Sequence, residues 1–213
     1  MKIKKLGHSC LVIETNSKKI LIDPGKYSTL QNEEKNIDLI LITHEHQDHF
    51  DLESVKKIIE NNSRVLIITN GAVGKLLDTA GIKYKKLENG QSDTIAGVQI
   101  ESYGNQHAFM RSGIQPPQNT GYFVAGKLFY PGDAFTNPDK PVEVLALPVA
   151  APWLKIDEVI KYIKAINPKL VFPVHDGMYN QFGLAYVKRI LSEILDPLNI
   201  HYIIPEIGKT EEF

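Results

Sequence analysis

Cysteine is almost missing from this sequence: among 213 residues, Cys10 is the only one. One thiol excludes an intramolecular disulfide framework and any structural zinc site built from several thiolates. A surplus of one charge sign is missing too. The 24 Lys plus Arg stand against 25 Asp plus Glu, a formal net charge of −1. That balance does not suggest the clustered basic surface of a dedicated nucleic-acid binder. Long apolar runs are also lacking. The basic N-terminal segment reaches only Leu11-Val12-Ile13 before Glu14, too short for a signal-peptide core. No stretch approaches the ~20 apolar residues of a membrane span, so the cytoplasm is the simplest expected location. Repeats, linkers and low-complexity tracts do not occur, and residues 1–213 read as one domain. With 43% hydrophobic and 23% charged residues, the chain has ample material for a core.

The patterning alternates strands with helices. Lys2–Lys5, Cys10–Glu14 and Lys19–Ile22 read as short strands, the last closed by Asp23-Pro24-Gly25. Asp38–Thr43 (DLILIT) and Arg64–Thr69 (RVLIIT) are continuous apolar runs of β-type residues, the mark of buried strands. Helices are predicted over Leu52–Asn61, from its apolar spacing, and over Ala72–Ala80, ended by Gly81. This order argues for parallel pairing with helices on the outside. The second half repeats the theme, with a strand over Gly97–Tyr103 and a hairpin of Tyr122–Val124 and Leu128–Tyr130. Strands follow at Val144–Leu147, Leu170–Val174 and Ile200–Ile204, and helices at Ile156–Ile166 and Leu184–Leu195. The two halves meet near Asn89–Thr94, and the class is α/β. One long irregular connection, Ala108–Thr120, reads either as a lid or binding loop or as a plain surface excursion.

Three of the seven histidines fall within six residues, His44-Glu45-His46-Gln47-Asp48-His49, between the strand DLILIT and the helix starting near Leu52. Imidazole and carboxylate are favoured ligands of zinc, iron, manganese and nickel, and their donors must converge to ~2.0–2.2 Å from the ion. An irregular strand-to-helix turn lets side chains two to five residues apart point to one place. Further donors lie just past other predicted strands: His107, Asp133 and His175. The carboxyl ends of strands are where open α/β sheets place their sites. His44, His46, Asp48, His49, His107, Asp133 and His175 together match the number of ligands that two divalent cations need. Zinc is the first expectation, with Mn, Fe or Ni as alternatives.

HEHQDH resembles the His-x-His-x-Asp-His signature of the metallo-β-lactamase-fold hydrolases, and His107, Asp133 and His175 follow in that family's order. The strings Leu6-Gly7-His8-Ser9-Cys10 and Ile22-Asp23-Pro24 further resemble a compact branch that includes L-ascorbate-6-phosphate lactonase and related uncharacterised hydrolases. The resemblance covers essentially the whole chain. It implies a four-layer αββα sandwich of two similar halves. It also implies one ion on His44, His46 and His107, a second on Asp48, His49 and His175, and Asp133 bridging them. The activity it implies is a hydrolase using a metal-activated hydroxide on an ester, lactone or phosphoester bond of a small molecule. Two other readings stay open: a di-iron redox or oxygen-handling protein, and a metal-binding module without turnover.

Around this set, Asp48 has a second possible task, orienting the attacking water. His8 is either a proton donor or substrate contact at the metal rim, or a hydrogen-bonded turn histidine. Arg111 either pairs with an anionic substrate through its fork of donors or sits idle on the surface. Tyr179 and Asn180, just after His175, are expected at the same mouth. The expected partner is a small-molecule substrate, anionic if Arg111 reads it.

Overall fold

Apolar runs become central strands and amphipathic runs become outer helices. The computed structural model describes residues 1–213. The first sheet holds, in spatial order, β1 (Lys2–Lys5), β2 (Leu11–Thr15), β3 (Lys18–Ile22), β4 (Leu39–Ile42), β5 (Leu66–Thr69) and β6 (Lys85–Lys86). β1 to β3 form an antiparallel meander and β3 to β6 run parallel. Helices α1 (Leu52–Asn61) and α2 (Gly71–Thr79) make the crossovers. The second sheet repeats the plan. β7 (Ser92–Ile95), β8 (Val98–Tyr103), β9 (Gly121–Val124) and β10 (Leu128–Tyr130) are antiparallel. β11 (Val144–Pro148), β12 (Leu170–Val174) and β13 (His201–Tyr202) then continue parallel, with α3 (Ile156–Ile166) and α4 (Gln181–Leu195) in the connections. The chain changes sheets between β6 and β7, at the predicted junction of the halves. β14 (Thr210–Glu212) then returns to pair with β1.

Alternation within the strands builds the layers. Ile22, Leu39 and Leu41 join Ile100, Tyr122, Tyr130 and Phe172 in a core between the sheets. Their neighbours Leu21, Ile40 and Ile42 face the other way, onto Val55 and Ile58 of α1 and Val73 and Leu77 of α2. Leu145, Leu147 and Val171 likewise pack on Val159 and Ile163 of α3 and Val187 and Leu191 of α4. The result is the αββα order. It explains why β4, buried at every residue, reads as a continuous apolar run. Each such Leu, Ile or Val taken from water contributes roughly 1.5–3 kcal/mol.

Some boundaries differ from the sequence reading. α4 begins three residues early because the Asn180 side chain accepts from the Gly183 amide and caps it. The last predicted strand shrinks to His201–Tyr202. β6, β7 and β14 are short edge strands, mostly polar, which form by pairing with a neighbour. No helix is long and apolar enough to cross a membrane.

Candidate metal centre

Pairing directions bring the carboxyl ends of β1, β3 and β4 to one edge of the first sheet, and those of β8, β10 and β12 to one edge of the second. His8 follows β1, Asp23 ends β3, and His44–His49 follows β4. On the other sheet, His107, Asp133 and His175 follow β8, β10 and β12. The two edges meet, and all seven predicted donors come together. His44, His46 and His107 offer atoms within 4.8 Å of one another, as do His44, His49 and Asp133, and also His8, Asp48 and His175. His44 Nε2 lies 3.2 Å from His46 Nδ1. His175 Nε2 lies 3.1 Å from Asp48 Oδ2 and 3.0 Å from Asp133 Oδ2. Asp133 also approaches His107 Nε2 at 3.3 Å and His49 Nε2 at 3.1 Å, so it touches histidines of both sets. His46 and Asp48 are half-buried and mark the open side, whereas the other five donors are buried.

A surrounding layer of bonds aims these side chains. Asp23, fully buried, accepts from the Thr43 amide and hydroxyl, each at 2.8 Å, and from His49 Nδ1 at 2.6 Å. The Thr43 hydroxyl has one proton, given to Asp23, so its 2.9 Å contact with His44 Nδ1 is accepted from the ring. Asp23 thereby sets the tautomer of both His44 and His49, leaving each Nε2 lone pair toward the centre. His107 Nδ1 donates to the Ala108 carbonyl at 2.6 Å, and His175 Nδ1 donates to that of Ala150. Trp153 Nε1 donates to Asp133 Oδ2 at 3.1 Å. Gly132, at φ +65°, precedes Asp133 where a Cβ would strike Asn119 and Thr43. Asp23 and His175 themselves hold left-handed backbone (φ +50° and +55°), a strain of order 1–3 kcal/mol each. The turn carrying His175 is clamped by Lys5, buried, whose Nζ donates to Asp176 Oδ2 at 2.5 Å and to the Pro173 carbonyl at 2.9 Å.

The electrostatics of this cluster call for positive charge. Burial alone would raise the Asp133 carboxyl, but His49, His107 and His175 outweigh it and hold the group well below the usual range. Asp48 is likewise held low against burial by His175 and His8. Burial would lower His49 and His175. The carboxylates of Asp133 and Asp23 instead hold His49 well above its ordinary value, and those of Asp133 and Asp48 push His175 up to about 9. Burial, reinforced by neighbouring imidazoles, lowers His44 and His46. Nε2 of His107 and of His175 and Oδ1 of Asp133 are buried without a hydrogen-bond partner, although other site atoms lie 3.0–3.3 Å away. Buried lone pairs converging in this way fit a divalent cation, which would satisfy them all.

His8 is buried at the same edge. Its Nδ1 accepts from the Gly177 amide at 3.0 Å, and its Nε2 stands 3.4 Å from Asp48 Oδ2. Arg111 is exposed, with no hydrogen bond or ion pair to any donor. Asn180 spends its side-chain oxygen capping α4, and the Tyr179 ring lies over Gly183. Sequence reasoning passed over Asp23 as a turn residue, and it passed over Lys5, Asp176 and Trp153 altogether. Lys5 did carry a signal: in Lys2-Ile3-Lys4-Lys5, strand alternation puts it on the same face as the core residue Ile3.

A family model described as "Beta-lactamase superfamily domain" matches residues 2–175. Protein Rv0786c of Mycobacterium tuberculosis is 31% identical over 84% of this chain and 85% of its own length. A UPF0173 metal-dependent hydrolase of Thermoplasma acidophilum is 25% identical over 100% of this chain and 98% of its own. Among solved structures, a putative metal-dependent hydrolase from Parabacteroides distasonis superposes with a TM-score of 0.77 at 25% identity, covering 97% of this chain and 93% of that one. With the ligand-type residues gathered at the edge of an αββα sandwich, the chain belongs to the beta-lactamase superfamily and has the metallo-β-lactamase fold.

Proposed function

We propose that the chain is a metal-dependent hydrolase of small molecules. In this reading His44, His46 and His107 would hold one divalent cation, Asp48, His49 and His175 would hold a second, and Asp133 would serve both. The observation that carries it is the convergence of buried, unpartnered imidazole and carboxylate atoms on one rim. Relatives named metal-dependent hydrolases support the same chemistry. Zinc is the first expectation for such a donor set, and Mn, Fe and Ni suit it too. When bound, such ions would acidify a water so that it ionises near neutral pH and would act as a Lewis acid for the substrate oxygen.

The chain's own residues supply the rest. Asp48, half-buried on the open side, would orient the attacking water through its carboxylate. His8 is a donor rather than a ligand. Because its Nδ1 accepts from Gly177, the neutral ring keeps its proton on Nε2, facing Asp48. Burial lowers the His8 pKa, which keeps that tautomer populated at neutral pH. A proton on Nε2, buried without a hydrogen-bond partner and 3.4 Å from Asp48 Oδ2, is available to a leaving oxygen. The bond cleaved is an ester, lactone or phosphoester.

The test is a reconstitution. Metal-free protein is loaded with Zn, Mn or Fe(II), its metal content is measured by mass spectrometry, and it is assayed on ester, lactone and phosphodiester panels. Close to two ions per chain, with turnover of one bond class that a chelator abolishes, is the expected result. Full loading without turnover of any class would refute the reading.

A further inference from the structure

A cavity of about 440 Å³ opens beside His107 within the connection between β8 and β9. That volume is in the range of small-molecule sites. Phe109, Ile114 and Pro116 supply its apolar wall, and Gln106 and Gln115 supply neutral amides. No carboxylate, lysine or arginine lines it. Arg111 lies between Phe109 and Ser112 in sequence but is not part of the wall. Phe109 is 63% exposed and Ile114 48%, apolar area kept in water at the edge of a catalytic rim. Single exposed apolar residues are common. Here two of them flank a cavity whose other wall is a metal donor.

Resting on the hydrolase reading, we propose that this cavity receives an uncharged apolar substituent of the substrate, an alkyl or aryl group. The hydrolysed bond then belongs to a neutral carboxylic ester or lactone. A phosphate group would have no charged donor in this cavity and would lose its hydration against Phe109 and Ile114. An alkyl group would release water from both. The Gln106 and Gln115 amides suit a carbonyl or hydroxyl on the substituent. Hydrolysis consumes one water: a C–O bond forms to the acyl carbon and the acyl–oxygen bond breaks. One proton goes to the leaving alcohol, and the other goes to solvent as the carboxylate forms.

The metal-loaded protein is assayed on ethyl esters from acetate to hexanoate and on a phosphate-bearing ester. Separately, methyl NMR of Ile114 is followed during titration with hexanol. The expected kcat/KM rises about fourfold for each methylene over the first few carbons. Ile114→Asp lowers the value for hexanoate tenfold or more and flattens the rise from acetate to hexanoate. Hexanol shifts the Ile114 methyl saturably. Hydrolysis with no chain-length dependence and an unmoved methyl overturns the pocket while the hydrolase reading stands. Preference for the phosphate-bearing ester also overturns it. If no carboxylic ester or lactone is turned over while phosphodiesters are, this proposal is overturned and the hydrolase reading stands. If no bond class is turned over, the hydrolase reading fails and the hexanol titration alone upholds or overturns the pocket. A methyl that ignores hexanol but shifts with protein concentration assigns the surface to a second copy of the chain and overturns the proposal.

Discussion

Asp23→Asn is the sharpest probe of how the centre is held. The aspartate accepts three hydrogen bonds, from the Thr43 amide through Oδ1 and from the Thr43 hydroxyl and His49 Nδ1 through Oδ2. An asparagine of the same shape has one oxygen. With that oxygen at the Oδ1 position, its NH₂ meets the ring N–H of His49. With the oxygen at Oδ2, the NH₂ meets the Thr43 amide. Either way two donors face each other in a fully buried place, costing about 1–3 kcal/mol of stability. His49 relieves the first arrangement only by moving its proton to Nε2, the atom needed for a cation. The outer partner of a metal-ligating histidine is typically worth 10- to 100-fold in affinity, so Asp23→Asn should weaken metal binding by about that factor. Competition with a chromophoric chelator measures it, with thermal melting of the metal-free protein reporting stability. Asp51→Asn is the control: the Asp51 side chain caps α1 through the Ser54 amide and hydroxyl and bonds none of the seven donors. A folded Asp23→Asn protein with affinity within twofold of wild type would refute the argument that Asp23 sets the tautomers.

Three further outcomes are expected. His46→Ala removes a half-buried donor and should lose one ion and activity together, shifting metal-free stability by no more than about 1 kcal/mol; mass spectrometry showing unchanged stoichiometry would contradict the ligand assignment. His8→Phe should lower kcat by about 10²-fold or more with both ions still bound, and Gly177→Ala, whose Cβ would stand 2.9 Å from His8 Nδ1, should act in the same direction; an ion lost from His8→Phe would make His8 a ligand. The metal-free protein should also show a pH signature. The raised His49 and His175 contribute stability that is full below the unfolded value of 6.5 and is lost as pH rises through about 9 for His175. The lowered Asp48 and Asp133 contribute stability present above about 3.8 and lost as pH falls. The lowered His8, His44 and His46 lose their contribution as pH falls below 6.5, so melting of the metal-free chain should be highest near about pH 6.5. Loading with metal, which replaces those protons, should shift the optimum upward. An optimum at pH 9 without metal would be inconsistent with the imidazole–carboxylate cluster.

The amino-acid sequence by itself determined what neighbouring residues can encode. Continuous β-type runs made β4 and β5, apolar spacing made α1 and α3, and the HEHQDH segment had to emerge from the end of a buried strand. The remaining donors could be seen past other strand ends because that position, too, is a local property. Tertiary structure alone decided the directions of lone pairs and protons. The tautomer of His8 depends on the amide of Gly177, 169 residues away, and the turn bearing His175 depends on Lys5, 171 residues from its partner Asp176. Asp23 looked like the start of a Pro-Gly turn until folding placed it under Thr43 and His49. The polar edge strands β6, β7 and β14 had no periodicity of their own and gained order only from a partner strand. Local pattern sets which elements form. Hydrogen bonds and charges joined across long stretches of chain set how the elements aim their side chains, and no local pattern in the sequence carries that information.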